Sequence, residues 1–290
     1  MNKLTTAERV QVVAALCEGN PMRSVARMTG VARNTIAKLL EDLGDTCAKY
    51  QHEYLRNLSC KKLQADEIWS FVYAKQKNVP FDMAGEFGVG DVWTFTAIDA
   101  ETKLVPSWLV GSRDVGTATN FMRDLAGRLT SRVQLTTDGL KACLTAVEDA
   151  FGADIDFAQP NKVYTAQHIG SQRYSPPICT GARKTPVNGN LEREHISTSY
   201  VERANLAMRM NMRRFTRVTN AFSKKLENHC AAISLYFMHY NFAREHHTLR
   251  ITPAMAAGVS DHVWEIKEIV ALLDAPPQRP LGTEPLLARR

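Results

Sequence analysis

Three carboxylates, Asp66, Asp138 and Glu202, each stand where the local pattern of the chain changes. Asp66 lies within the β-forming run Lys62 to Tyr73 (KLQADEIWSFVY), and Asp138 closes the short apolar run Val133 to Thr137 just before Gly139. Glu202 opens a stretch that turns strongly basic behind it. A buried strand rarely carries a carboxylate for packing, and a carboxylate at a strand's C-terminal edge occupies the crevice where open α/β sheets place their sites. Transfer of a phosphodiester needs an activated oxygen nucleophile and a stabilised leaving oxygen in line, which two divalent ions about 4 Å apart supply. Mg²⁺ or Mn²⁺ takes oxygen ligands, so three carboxylates are the expected protein share.

Each carboxylate has a competing local role. Glu67 adjoins Asp66, and neighbours on a strand point to opposite faces, so only one is expected to reach the site; Asp66 is chosen, with Glu67 as rival or auxiliary. Asp138 could cap a helix over Leu140 to Phe151. Ser199-Tyr-Val-Glu202 fits a capping box, in which Glu202 bonds back to the Ser199 amide. Arg209 lies about two turns beyond Glu202 and shares its face, Asn205 lies nearly one turn away, and His195 precedes the helix as a possible auxiliary.

The elements that must position these groups can be read from spacing. Lys62 to Tyr73, Asp91 to Ile98, Leu104 to Val110, Val133 to Thr137 and Ile155 to Ala158 read as strands, with Asp99 in a polar hairpin connection. Thr117 to Leu129 and Leu140 to Phe151 read as helices. Residues 164–190, rich in Gly, Pro, Ser and cations such as Arg173, Arg183 and Lys184, read as an exposed loop insertion. No Gly or Pro occurs from Leu191 to Thr252, and one long helix is expected over at least Tyr200 to Asn220. Its cations Arg203, Arg209, Arg213, Arg214, Arg217, Lys224 and Lys225 precede the next acid at Glu227, a one-signed face that a polyanion such as DNA would relieve. His246 and His247 are assigned to packing or DNA contact, Val263 to Leu273 to a last helix, and the proline-containing end to a disordered tail.

In front, Thr5 to Glu18 reads as a helix, and Val25, Ala26, Gly30, Val31, Ile36 and Leu39 have the spacing of a helix-turn-helix. Arg33, Asn34, Thr35 and Lys38 would stand at the front of its recognition helix, where they reach base edges and phosphates. The expected organisation is a helix-turn-helix over 1–45, a linker over 46–60, an α/β catalytic domain over 61–255 with the insertion near 164–190, and a C-terminal helix and tail over 256–290.

Composition agrees with this plan. With 290 residues, 44% of them hydrophobic, the chain can bury a catalytic core plus a small accessory unit, and its net charge of +6 is concentrated after Glu202. Six cysteines without a C-x-x-C pair, and no secretory or transmembrane segment, read as reduced thiols in a cytoplasmic protein. Cys47, His52 and Cys60 form a partial zinc set without a fourth ligand.

The segments LQADEIWSFV, LTTDGLKAC and HISTSYVERANLAMRMNMRRFTRVTNAFSKK resemble, in the same order, the three catalytic blocks of bacterial insertion-sequence transposases of the insertion-sequence-one group, over roughly residues 60 to 230. The resemblance implies an RNase H-like mixed sheet flanked by helices, with a DDE metal site at Asp66, Asp138 and Glu202. It implies cleavage and strand transfer of insertion-sequence ends by a DNA 3′ hydroxyl, with two Mg²⁺ or Mn²⁺ ions. Double-stranded DNA, both terminal inverted repeats and target, is the expected partner, contacted by Arg203, Asn205, Arg209 and Arg213 besides the recognition helix. A homo-oligomer on DNA, associated with the nucleoid and not with membrane, completes the expectation. Two other readings share these features: a DNA-binding regulator without catalysis, and a metal-dependent nuclease that does not join strands.

Overall fold

The computed structural model describes residues 4–165, 178–216 and 218–274. Thr5 caps the first helix, α1 (Thr6–Cys17), through a reciprocal capping box with Glu8. Gly30, in the left-handed conformation at φ 72°, ends α2 (Met22–Thr29). The third helix, α3 (Arg33–Tyr54), runs unbroken for 22 residues. The expected linker over 46–60 is therefore helix for more than half its length. Tertiary contacts explain the difference. Gly44 lets α3 lie directly against Ala231 of α7 (Leu226–Met238), with space for no side chain between them, and the Ser234 hydroxyl donates to the Gly44 carbonyl at 2.7 Å. Arg128, fully buried and paired with Asp124, donates to the Gln51 and Leu55 carbonyls and satisfies the end of α3.

Six strands form one mixed sheet in the order β3-β2-β1-β4-β5-β6. The strands are β1 (Lys62–Val72), β2 (Gly90–Asp99), β3 (Trp108–Gly111), β4 (Gln134–Thr137), β5 (Asp156–Thr165) and β6 (Ile178–Asn188). Strands β1 to β3 form an antiparallel meander, whereas β4 runs parallel to β1 on its other side and β5 parallel to β4. The third strand is shorter than Leu104 to Val110. Before Pro106, the Asn241 side chain replaces a neighbouring strand by bonding both the amide and the carbonyl of Val105. Asp99 closes its turn as expected, accepting from the Thr102 amide and hydroxyl.

Much of the expected insertion is sheet. Residues 178–188 are β6, paired antiparallel with β5; Arg173 lies outside the described residues. Helices α4 (Val115–Ala126) and α5 (Lys141–Phe151) cover the face bearing Phe95, which meets Phe121 at 5.8 Å. On the other face lie α6 (Ser199–Asn211) and α7.

The long helix expected from Tyr200 to Asn220 stops at Asn211, and a 3-10 turn follows over Arg213–Phe215. Neither Gly nor Pro breaks it. Thr216, Val218 and Thr219 are poor helix formers, and the bend buries Met212 and Phe215 and lays Phe222 against Phe71 at 5.1 Å. Arg214 turns inward as well, donating to Ser223 Oγ and the Asn228 carbonyl, so the basic stretch is not one solvated face. At the C-terminal end come α8 (Pro253–Ala256) and α9 (Ile266–Ala271), the latter within the expected Val263 to Leu273; the expected tail lies outside the described residues. No described helix is long and apolar enough to cross a membrane.

Candidate metal centre

The sheet creates the site by ending one strand early. Strand β4 pairs with β1 only from Lys62 to Ala65, where Thr137 opposes Ala65, so Asp138 emerges beside Asp66 at the point where the chain's path across the sheet switches sides. Beyond Ala65 this edge of β1 pairs with no strand among the described residues until Val72 meets Ser223. Asp66 and Glu67 are neighbours on β1, yet beside the end of β4 both come close to Asp138. Carboxylate oxygens of Asp66, Glu67 and Asp138 lie within 4.8 Å of one another. The expectation that only one of the two neighbours can reach the site is thus corrected: it holds inside a sheet, not at an interrupted edge.

Each carboxylate has a distinct support. Asp66 Oδ2 accepts from Asn205 Nδ2 of α6 at 2.9 Å. Asn205, expected to contact DNA, is instead buried and turned onto Asp66, with Thr96 Oγ1 3.5 Å from its carbonyl oxygen. Asp138 Oδ1 accepts from the Leu140 amide at 3.0 Å in a local turn, while α5 begins at Lys141 without a side-chain cap. The cap expected of Asp138 is therefore only this short turn. Glu67 Oε1 takes both Nε and Nη2 of Arg113, at 2.7 and 2.5 Å, whereas its Oε2 is buried with no hydrogen-bond partner.

Glu202 sits apart from this trio, exposed on the first turn of α6. It forms no capping box with Ser199. Its Oε1 accepts from the Thr198 hydroxyl at 2.6 Å, and Thr198 occupies the cap position. The start of α6 is fixed from β1 instead: Gln64 Oε1 accepts the amides of Tyr200 and Val201 at 2.8 and 3.2 Å, satisfying two otherwise orphaned donors. Gln64 and Asp66 are two apart on β1 and share a face, so one strand holds both the start of α6 and, through Asn205, its middle. Sequence reasoning missed Gln64, although a polar residue in phase with Asp66 within an apolar strand was a readable signal. It also missed Arg113, for which no local pattern exists.

Electrostatics mark the cluster as short of positive charge. Burial, then Asp138 and more weakly Glu202, push Asp66 up to about 6. Burial, then Asp138 and Asp66, push Glu67 up to about 7 despite Arg113. The Cys143 thiol beside them is pushed up to about 12, chiefly by burial and then by Asp138. An all-oxygen donor set, mutual repulsion and an orphaned buried oxygen together fit a hard divalent cation.

The other expected site residues scatter. Arg33, Asn34, Thr35 and Lys38 are all exposed on the first turns of α3, with Lys38 3.2 Å from Asp42. Arg203 and Arg213 are exposed, and Arg209 is half-buried. His195 does not fold back toward Asp66: its ring pairs with Glu192 at 3.2 Å and Glu194 at 3.4 Å, and Glu192 also binds Lys62. Of the partial zinc set, Cys47 is buried, and His52 joins Arg56, Arg128 and Asp124.

No protein-family model matches the chain, and no curated protein matches it. Among solved structures it is similar to the crystal structure of the Mos1 strand transfer complex, with a TM-score of 0.24 and 14% identity over 54% of this chain. The match covers 59% of that protein, less than two thirds of its length. A likeness this distant carries no functional argument, and the site is read from its own geometry.

Proposed function

We propose that the chain is a DNA transposase of the insertion-sequence-one type, with an RNase H-like catalytic sheet and a DDE site formed by Asp66, Asp138 and Glu202. The observation that carries this reading is the convergence of carboxylates at the end of β4, with a fourth on the helix that β1 holds over them. The meander β1-β2-β3 with β4 and β5 parallel on the far side of β1 agrees with an RNase H-like sheet. Bound divalent ions would supply an activated 3′ hydroxyl and a stabilised leaving oxygen. Asp66 and Asp138 would hold them from adjacent strands, and Asn205 keeps Asp66 in one orientation. Glu202, exposed on the first turn of α6, would close the site from the solvent side. Arg203 and Arg213, exposed on and just past α6, are suited to the phosphates of the flanking strand. Helices α1 to α3 would act as the helix-turn-helix that recognises terminal repeats, with Arg33, Asn34, Thr35 and Lys38 outermost.

Incubation with a duplex carrying the element's terminal repeat, a target plasmid and Mg²⁺ tests the reading. Joining of the labelled 3′ end is expected for the natural chain and is lost in Asp66→Asn, while binding to the duplex persists. Hydrolysis without joining would assign a nuclease, and binding without either reaction a regulator. Joining that survives in Asp66→Asn would overturn the site.

A further inference from the structure

We infer that Glu67 is an additional metal ligand of this site, presenting Oε2 to a divalent cation held with Asp66 and Asp138, while Arg113 grips Oε1 and aims the carboxylate. The inference rests on the metal-dependent reading above. Three observations support it independently of the sequence pattern that singled out Asp66.

First, Glu67 belongs to the close trio and Glu202 does not. Second, Arg113 directs two of its three guanidinium nitrogens at a single oxygen. A guanidinium pairing with a carboxylate for stability alone commonly engages both oxygens in parallel. Here the second oxygen is left buried and without a donor, on a carboxylate that lies close to two others, and the Glu67 side chain is only 2% exposed. A buried carboxylate oxygen without a partner is costly, and a cation shared with Asp66 and Asp138 removes that cost. Third, Arg113 is itself anchored. It lies between Gly111, the end of β3, and Asp114, the N-cap of α4, and its guanidinium stacks 4.7 Å from the Trp93 ring. Such a group is a fixed support rather than a mobile counter-ion. The arrangement gives a donor set of three carboxylates from β1 and β4, with Glu202 approaching from α6, so Arg113 is a positioning residue that acts through Glu67.

The test is Mn²⁺ binding to the full chain without DNA, followed by titration calorimetry and by the electron paramagnetic resonance signal of free Mn²⁺. Glu67→Gln is expected to weaken Mn²⁺ about ten-fold or more, with unchanged circular dichroism. Should that variant fail to fold, Glu67→Asp replaces it with the same expectation, because it keeps the charge but withdraws the oxygen by one methylene. Arg113→Gln is expected to weaken Mn²⁺ in the natural background and to have no further effect when combined with Glu67→Gln. Asp66→Asn and Asp138→Asn serve as reference. If these two abolish binding while Glu67→Gln leaves it within about two-fold, the role of Glu67 is overturned and the metal-dependent reading stands; if neither alters binding, that reading itself fails. Tighter Mn²⁺ binding in Arg113→Gln would make Arg113 a competing cation and overturn its positioning role.

Discussion

Asn205 Nδ2 lies 2.9 Å from Asp66 Oδ2, a bond between the middle of α6 and the middle of β1. It helps to fix the orientation of the Asp66 carboxylate, and it ties the helix bearing Glu202 to the same strand. Asn205→Ala is expected to weaken Mn²⁺ binding and Mg²⁺-dependent strand joining about ten-fold or more, at a stability cost of about 1 kcal/mol. Parallel Mn²⁺ titration and urea unfolding check this. A large stability loss with normal metal affinity would make the residue purely structural.

A second consequence concerns pH. Asp66 at about 6 and Glu67 at about 7 are both raised above their values in an unfolded chain, about 3.9 and 4.3. Between about pH 4 and pH 7 the folded protein therefore holds more protons at these groups than the unfolded one. Their contribution to stability is full below about pH 4 and is lost as pH rises to about 7. Unfolding of the metal-free chain over this interval should show a steeper decline with pH than the Asp66→Asn, Glu67→Gln double variant. Because ligation needs the ionised carboxylates, Mg²⁺ affinity should climb over the same interval. Identical pH slopes in the two proteins would contradict the assignment.

Gln64 offers a third test. Its Oε1 serves two first-turn amides of α6, so Gln64→Leu leaves both orphaned and adds an apolar group beside them. A loss of about 1 to 3 kcal/mol is expected from urea unfolding. Strand joining should fall as well, because Glu202 sits on the released turn. A variant with normal stability would show that water replaces the glutamine.

How much of this was legible in advance depends on the range of the interaction. Strands β1, β2 and β4 and helices α1 and α5 follow local residue patterns, and their bounds were readable to within a few residues. The convergence of Asp66 with Asp138 was inferable from a strand-end carboxylate. The approach of Glu67 was not, because it depends on where β4 stops relative to β1, a register no single segment encodes. The unbroken α3 and the early end of α6 were misread for the same reason. Gly44 looks like a helix breaker until Ala231 lies against it, and Met212 and Phe215 leave the helix to reach a core built by other segments.

Gly44 is accordingly expected to tolerate no side chain. A Cβ there would lie 2.4 Å from the Ala231 Cα, and backbone as well as side-chain atoms stand in the way. Gly44→Ala should destabilise the protein by about 1 to 3 kcal/mol, measured by chemical denaturation, even though alanine is the better helix former. Neutral or increased stability would mean that α3 and α7 separate easily.

Nucleic-acid contact by the front of α3 can be tested through salt. Arg33→Ala should lower the slope of log affinity against log salt by about one for duplex DNA, read by fluorescence anisotropy. An unchanged slope would remove Arg33 from the phosphate contacts.

The continuity of α3 also makes it a ruler. Its exposed first turn and its packed C-terminal half belong to one rod about 33 Å long, clamped at Gly44 and Gln51. Whatever the first turn grips is held at a set distance and a set rotational phase from the clamped end. One residue inserted between Ile36 and Leu43 would turn the gripping face by about 100°, whereas seven would return it nearly to phase about 10 Å farther out. Spacing along a bound duplex would then be written into helix length, not into a tether.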